Sequence, residues 1–223
     1  MRNLTHQQAQ SFYDRFGAKQ DAQSFYEDKA VNTLIQHADF EHAHTVLEFG
    51  CGTGRLAQRL LANNLPANAT YRGLDISTTM VNLATERLQA YPARAQVSQT
   101  QGEIHLPFAE NVFDRFVSAY VLDLLPEEEI RELLSEAHRV LNRSGILALA
   151  SLSYGKTAFS KGVTGVWRTI HRINPKWVGG CRPVKLSDFI RDDCWNLLHH
   201  EIISQFGITS EVVVAEKVAS QTT

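Results

Sequence analysis

Val46-Leu47-Glu48-Phe49-Gly50-Cys51-Gly52-Thr53-Gly54-Arg55 runs from an apolar stretch straight into three alternating glycines. Residues 45–49 read as a buried strand. The glycines read as a turn that opens a helix over 55–62, which Asn63, Asn64 and Pro66 stop. Glycine tolerates positive φ and close approach to the backbone. A ligand can therefore rest on such a turn while the free N–H groups of the helix start meet its polar or anionic atoms. Glu48, at the carboxyl end of the strand, can accept from an ammonium group. A second strand over 70–74 ends at Asp75, 21 residues after Gly54, which suits an acceptor for paired ribose hydroxyls at a topological switch point.

Outward from this unit, Ser77 or Thr78 can cap a helix whose Met80, Val81, Ala84 and Leu88 lie near one face. Strands follow at 95–99 and 113–119, then a helix over 127–141 with Ile130, Leu133, Leu134, Ala137 and Val140 at core spacing and Gly145 at its exit. The continuously apolar run 146–151 suits a strand covered on both faces. Strands alternating with helices predict an α/β fold around a parallel sheet. The end of the chain differs. A short helix is expected near 187–192, and strands 198–205 and 210–217 flank Phe206-Gly207 as an antiparallel pair. The chain thus divides into a helical cap over 1–44, a cofactor-binding core over 45–151, an insertion over 152–184, and a helix and hairpin over 185–223 that complete the sheet of a single domain.

The 223 residues are 43% hydrophobic and 21% charged, an ordinary globular composition. Twenty-two basic against 24 acidic side chains give a formal charge of −2, which lacks the broad positive field of a nonspecific nucleic-acid binder. No apolar run reaches the roughly 18 to 20 residues that cross a bilayer, and the start MRNLTHQQAQ lacks a signal-peptide core, so a cytoplasmic protein is expected. Cys51, Cys181 and Cys194 form no CxxC pair, which suggests neither a disulfide framework nor a cysteine-rich zinc site.

Four phrases in order, VLEFGCGTGRLA, GLDISTTMVNLA, LPFAENVFDRFVSAYVLDLLP and EAHRVLNRSGILALAS, cover residues 46–151 and resemble the class I S-adenosylmethionine-dependent methyltransferases. Within that family they look most like the small-molecule and lipid-directed group related to ubiquinone and menaquinone biosynthesis. The resemblance implies a Rossmann-like, seven-stranded, mostly parallel sheet with an antiparallel last strand, and S-adenosyl-L-methionine as cofactor. It implies that Glu48 lies near the methionine ammonium, that Gly50, Cys51, Gly52 and Gly54 form the platform, and that Asp75 holds the ribose. Ile76 and Met80 would enclose the adenine, Glu103 and Ile104 would sit near its amino edge, and Ala119 and Tyr120 would line the cleft. The glycine spacing is GxGxG, whereas the dinucleotide fingerprint is GxGxxG. An NAD(P)-dependent Rossmann oxidoreductase is thus the alternative, with a nonenzymatic adenosyl-cofactor-binding protein beside it.

Methyl transfer needs in-line positioning, and a base only where the acceptor is protonated. Asp123, Tyr13 and His171 are the candidates for proton chemistry, and Asp123 reads equally as a helix cap or loop acid. Tyr13, Tyr26, Asp123, Trp167 and His171 are the candidates for facing a small-molecule or amphiphilic acceptor. The aromatic run Phe12, Tyr13, Phe16, Phe25 and Tyr26 reads either as a pocket cover or as a helix packing on the sheet. Between 152 and 191, eight basic side chains face one acid, Asp188. Val163, Val166, Trp167 and Ile170 recur there at helical spacing. The segment reads as a substrate lid with a solvated basic rim, or as weak peripheral membrane contact through 156–191. His42-Ala43-His44 lacks nearby cysteine or further histidine partners, and His199-His200 would point to opposite faces of a strand, so no metal is expected. No Asn-Pro-Pro-aromatic sequence follows the fourth strand, which counts against an enzyme that methylates DNA amino groups.

Overall fold

A computed structural model describes residues 3–218; the first two residues of the expected cap and the last five of the C-terminal segment lie outside the described residues. Strands β1 (Thr45–Phe49), β2 (Thr70–Asp75), β3 (Ala95–Gln99), β4 (Phe113–Ala119), β5 (Leu141–Leu152), β6 (Trp195–Gln205) and β7 (Ile208–Lys217) form one sheet. Their order is β3-β2-β1-β4-β5-β7-β6. The strands β1 to β5 pair in parallel, and β7 runs antiparallel to both of its neighbours. This is the expected Rossmann-like sheet with a reversed last strand.

Six helices accompany it: α1 (His6–Phe16), α2 (Ser24–His37), α3 (Arg55–Asn63), α4 (Thr78–Arg87), α5 (Glu127–Val140) and α6 (Ala158–Ile173). Successive strand residues serve opposite layers because side chains alternate across a strand. Val46 joins Leu34 of α2 and Leu60 of α3 on one side, and Leu47 joins Ile130 and Leu133 of α5 on the other. Val117 and Phe116 in β4, and Ala148 and Leu147 in β5, repeat the split. Cover on both faces is what makes these strands continuously apolar.

Two expectations need correction. The fifth helix stops at Val140, and β5 begins at Leu141 and runs through Gly145. Leu141 is buried and pairs with Phe113, and the register slips before Ile146 pairs with Arg115. A side chain on Gly145 would sit 2.8 Å from Leu141 Cβ, so this glycine permits a bulge within the strand and marks no helix exit. The short helix near 187–192 is a single 3-10 turn at Leu186–Phe189. The buried Glu211 carboxylate of β7 pins its start, accepting from the N–H groups of Leu186 (2.9 Å) and Ser187 (3.2 Å).

Candidate functional site

The chain leaves β1 toward β2 on one side and returns to β4 on the other, so the carboxyl ends of β1 and β4 open a crevice at the switch point. The turn after β1 is held in shape by the Leu74 carbonyl, which accepts from Gly50 N (2.7 Å) and Cys51 N (3.0 Å). Gly50 has φ of 76°, and a side chain there would strike Val121 Cγ2 at 2.2 Å. Gly52 has φ of 52°, and Gln20 from the α1–α2 connection lies over it, its Oε1 only 2.9 Å from where a Cβ would stand. Gly54 caps α3 with φ of 75° and lies 3.0 Å, by the same measure, from Ala84 of α4. Its openness serves helix packing.

Two cavities meet on this turn and share Gln20, Gly50, Gly52, Ala119 and Tyr120 as walls. The first, with about 810 Å³ of empty space, is largely apolar, with Ile76, Met80 and Val121 beside Asp75. The second, with about 560 Å³, is polar, bringing Glu27 and Glu48 opposite Arg55 and Arg59. Asp75 Oδ2 accepts from Gly52 N (2.8 Å) and Oδ1 from Ser77 N (2.9 Å). A carboxylate has about four acceptor positions, so each oxygen keeps one for another donor. Burial raises the pKa of Asp75, against the pull of its backbone donors.

The acids of the polar cavity are held toward their neutral forms. Burial pushes Glu48 up to about 8, although Tyr71 donates to its Oε2 at 2.7 Å. Burial likewise lifts Glu27 to about 7. Gln20 Oε1, on the wall common to both cavities, is buried without a hydrogen-bond partner among the described residues. Tyr120 carries φ of 58°, unusual for a bulky side chain. Its hydroxyl reaches Ser210 Oγ at 2.8 Å, and its ring meets Tyr26 edge-on at 5.9 Å.

Of the residues singled out in the sequence, Gly50, Gly52, Asp75, Ile76, Met80, Ala119, Tyr120 and Tyr13 line the apolar cavity, and Glu48 and Cys51 line the polar one. Ile104 is buried in the core beneath. Glu103 is exposed and accepts from Gln101 N, while its neighbour Gly102 forms the wall. Asp123 lies one layer behind the cavities, fully buried, with both carboxyl oxygens unpartnered among the described residues. Burial raises it to about 6. Tyr26 and Trp167 pack with Leu152 and Cys181, and Trp167 Nε1 donates to Cys181 O. His171 is buried against Gly180 O at 3.2 Å, and burial lowers its pKa. These last four line neither cavity.

Several wall groups carry no sequence signature. Thr53 Oγ1 donates to Asp21 (2.6 Å), which also takes Arg87 Nη2 (2.6 Å). Arg55 forms a forked pair with Asp28 at 2.6 and 2.9 Å. His6 pairs with Glu129 at 2.9 Å across the apolar cavity's wall.

The family described as "Methyltransferase domain" matches residues 46–145, the span that contains the glycine turn and Asp75. Demethylmenaquinone methyltransferase of Desulfitobacterium hafniense (strain Y51) is 28% identical over 167 residues, covering 74% of this chain and 64% of that protein. The ubiquinone/menaquinone biosynthesis C-methyltransferase UbiE of Rhizobium meliloti (strain 1021) is 33% identical over 112 residues, covering 49% and 42%. This chain spans about half the length of the curated relatives it matches. Among solved structures, the [4+2]-cyclase SpnF superposes with TM-score 0.73 at 16% identity, covering 99% of each chain. Magnesium protoporphyrin IX methyltransferase (ChlM) of Synechocystis PCC 6803, solved with bound SAH, superposes with TM-score 0.62 at 22% identity, covering 85% of this chain and 81% of that one. In its matched core, its strand order and the turn at their centre, this chain is similar to the class I S-adenosylmethionine-dependent methyltransferases.

Proposed function

We propose that the chain binds S-adenosylmethionine across the two joined cavities and transfers its methyl group to a small organic acceptor. One observation carries the reading: an apolar cavity ending in Asp75 and a polar cavity ending in Glu48 meet on a glycine turn too tight for side chains. That pair of environments suits a nucleoside joined to a zwitterionic amino acid. Ile76 and Met80 offer apolar faces for a base, Asp75 has acceptor positions for ribose hydroxyls, and Glu48 offers a carboxyl that an ammonium would ionise, with the guanidinium groups of Arg55, paired with Asp28, and Arg59 in the same wall for a carboxylate. The buried, unpartnered Gln20 Oε1 at the junction is an acceptor in want of a donor. When bound, the cofactor supplies a methyl group already activated by a sulfonium.

The chain's own task is then to orient an acceptor and exclude water. Leu4, Ala9, Tyr13 and Leu124 close the apolar cavity from the cap and from the loop after β4. Tyr13 and the His6–Glu129 pair are the wall groups able to carry a proton for an acceptor hydroxyl or amine. Asp123 is a positioning group in this reading, acting behind Tyr13 and Cys181, whose Oη and Sγ are 4.0 Å apart. Quinone acceptors in the relatives' names favour an acceptor of small-molecule or amphiphilic class.

The fold alone does not fix the reaction, since SpnF carries it and is named a cyclase. Incubation with methyl-labelled cofactor and an extract of metabolites and lipids tests the point. Labelled product that disappears in Asp75→Ala supports transfer. Cofactor binding without labelled product would leave a cofactor-binding protein, and NADH binding without it an oxidoreductase.

A further inference from the structure

The segment after β5 leaves apolar surface uncovered. Along α6, Phe159, Val166 and Ile173 recur every seven residues and are exposed, with Val163 and Ile170 on the same stripe. Phe159, Phe206 and Trp177 are 70%, 71% and 68% exposed. Phe206 stands at the β6–β7 tip with a positive φ of 51°, a conformation that costs a bulky residue energy. Its ring lies 5.8 Å from that of Phe25 at the start of α2. A side chain on Gly207 would come within 2.5 Å of Phe159. Tip and helix therefore touch, and the apolar surface is continuous across three elements. Because β5 and β6 both end here, the surface lies at the carboxyl edge of the sheet, where the cavities open.

Its charge is as unusual as its polarity. Residues 152–191 carry +7 in a chain of −2. Lys185 and Arg191 are paired with Asp188 and Asp193, and buried Arg182 donates to Leu125 O. Lys156, Lys161, Arg172 and Lys176 are exposed and form no ion pair among the described residues. Lys156 and Lys176 bracket the ends of α6, and Lys161 and Arg172 stand away from the stripe. Protruding aromatic tips with flexible cations around them need no matched pocket in a partner. Apolar side chains of this kind enter the headgroup boundary while lysines reach phosphate groups. A tryptophan beside a lysine is suited to that boundary.

We propose that this face docks the chain on an anionic lipid bilayer, with α6 lying in the interface and Phe159, Val166, Ile173, Trp177 and Phe206 inserted. Lipid docking of this kind goes beyond methyl transfer and needs no cofactor, so it can fail while that reading stands. Flotation with phosphatidylcholine vesicles, with and without phosphatidylglycerol, tests it. The full chain should float with the anionic vesicles and be released by salt. Lys161→Gln with Lys176→Gln should weaken partition by roughly thirtyfold, given about 1 kcal/mol per basic residue at such a surface. Phe159→Ser with Phe206→Ser should abolish it, with circular dichroism and thermal unfolding showing that the variants are folded. No association at low salt would overturn the proposal, as would association indifferent to these substitutions. So would a concentration-dependent dimer that Phe159→Ser dissolves, since the face would then be an interface between copies.

Discussion

Glu48 shows how one buried carboxyl gives two opposite pH dependences. Its folded pKa, about 8, lies above the ordinary 4.5 because burial disfavours the charge. Between those values the folded chain holds a proton that the unfolded chain releases, so stability falls as pH rises through that window. Glu27 and Asp123, raised to about 7 and about 6, act in the same direction. Glu48→Gln should flatten the fall measured by urea unfolding between pH 5 and 8, at about 1.4 kcal/mol for each pH unit of difference removed. An ammonium in the polar cavity favours the carboxylate, so cofactor affinity should rise with pH toward 8. Calorimetry in two buffers of unlike ionisation enthalpy should show proton release on binding, and Glu48→Gln should release less, leaving only what Glu27 in the same cavity gives up. Asp75 fails differently. Asp75→Ala removes acceptor positions and also the bonds to Gly52 N and Ser77 N, so affinity for the demethylated cofactor should drop by about 1–3 kcal/mol. An unchanged affinity would show that Asp75 faces no ligand.

At the scale of elements, the N-terminal helices are tied to α4 at both of its ends. Asp14 of α1 accepts from Ser77 Oγ (2.6 Å) and Thr79 N (3.1 Å) where α4 begins. Asp21 joins Arg87 and Thr53 where it ends. A double-mutant cycle on Asp21→Ala and Arg87→Ala should give a coupling of no more than about 1 kcal/mol, because both side chains keep partial contact with water. Loss of the tie should speed proteolysis of 17–23 and cofactor release more than it lowers overall stability. These ties were hidden in the sequence for a physical reason. Asp14, Asp21 and Asp28 have partners 27 to 66 residues away, and apolar periodicity reports which face is buried, not which charges pair. The glycine turn was legible because its strand, bend and helix start occupy ten consecutive residues, each with local geometry to satisfy. Asp123, His171 and Trp167 fall between these cases. Their chain positions bring them near the cleft, but side-chain direction there is set by packing around Cys181 and Gly180, and it turns them away.

For the whole molecule, the proposed ligand site draws its walls from the sheet and from the cap alike. Glu48, Gly52 and Asp75 come from the strand ends, whereas Tyr13, Gln20 and Glu27 come from the first 44 residues. A ligand spanning both cavities binds only when cap and sheet are together, so it stabilises the assembled chain over any state in which the cap has opened. At a hundredfold excess over the dissociation constant that stabilisation is about 2.7 kcal/mol. In a chain of this size each kcal/mol moves Tm by roughly 2–4 °C. S-adenosylhomocysteine should therefore raise Tm by roughly 5–11 °C in a scanning experiment, and NADH at the same concentration should leave it unchanged. Gln20→Ala should shrink the shift by removing the acceptor at the junction, while leaving the Tm of the unliganded chain within a degree or two, since Gln20 Oε1 has no partner to lose. A shift produced by NADH and not by S-adenosylhomocysteine would transfer the site to the dinucleotide reading. A shift that survives both Gln20→Ala and Asp75→Ala would place the ligand elsewhere than on the turn.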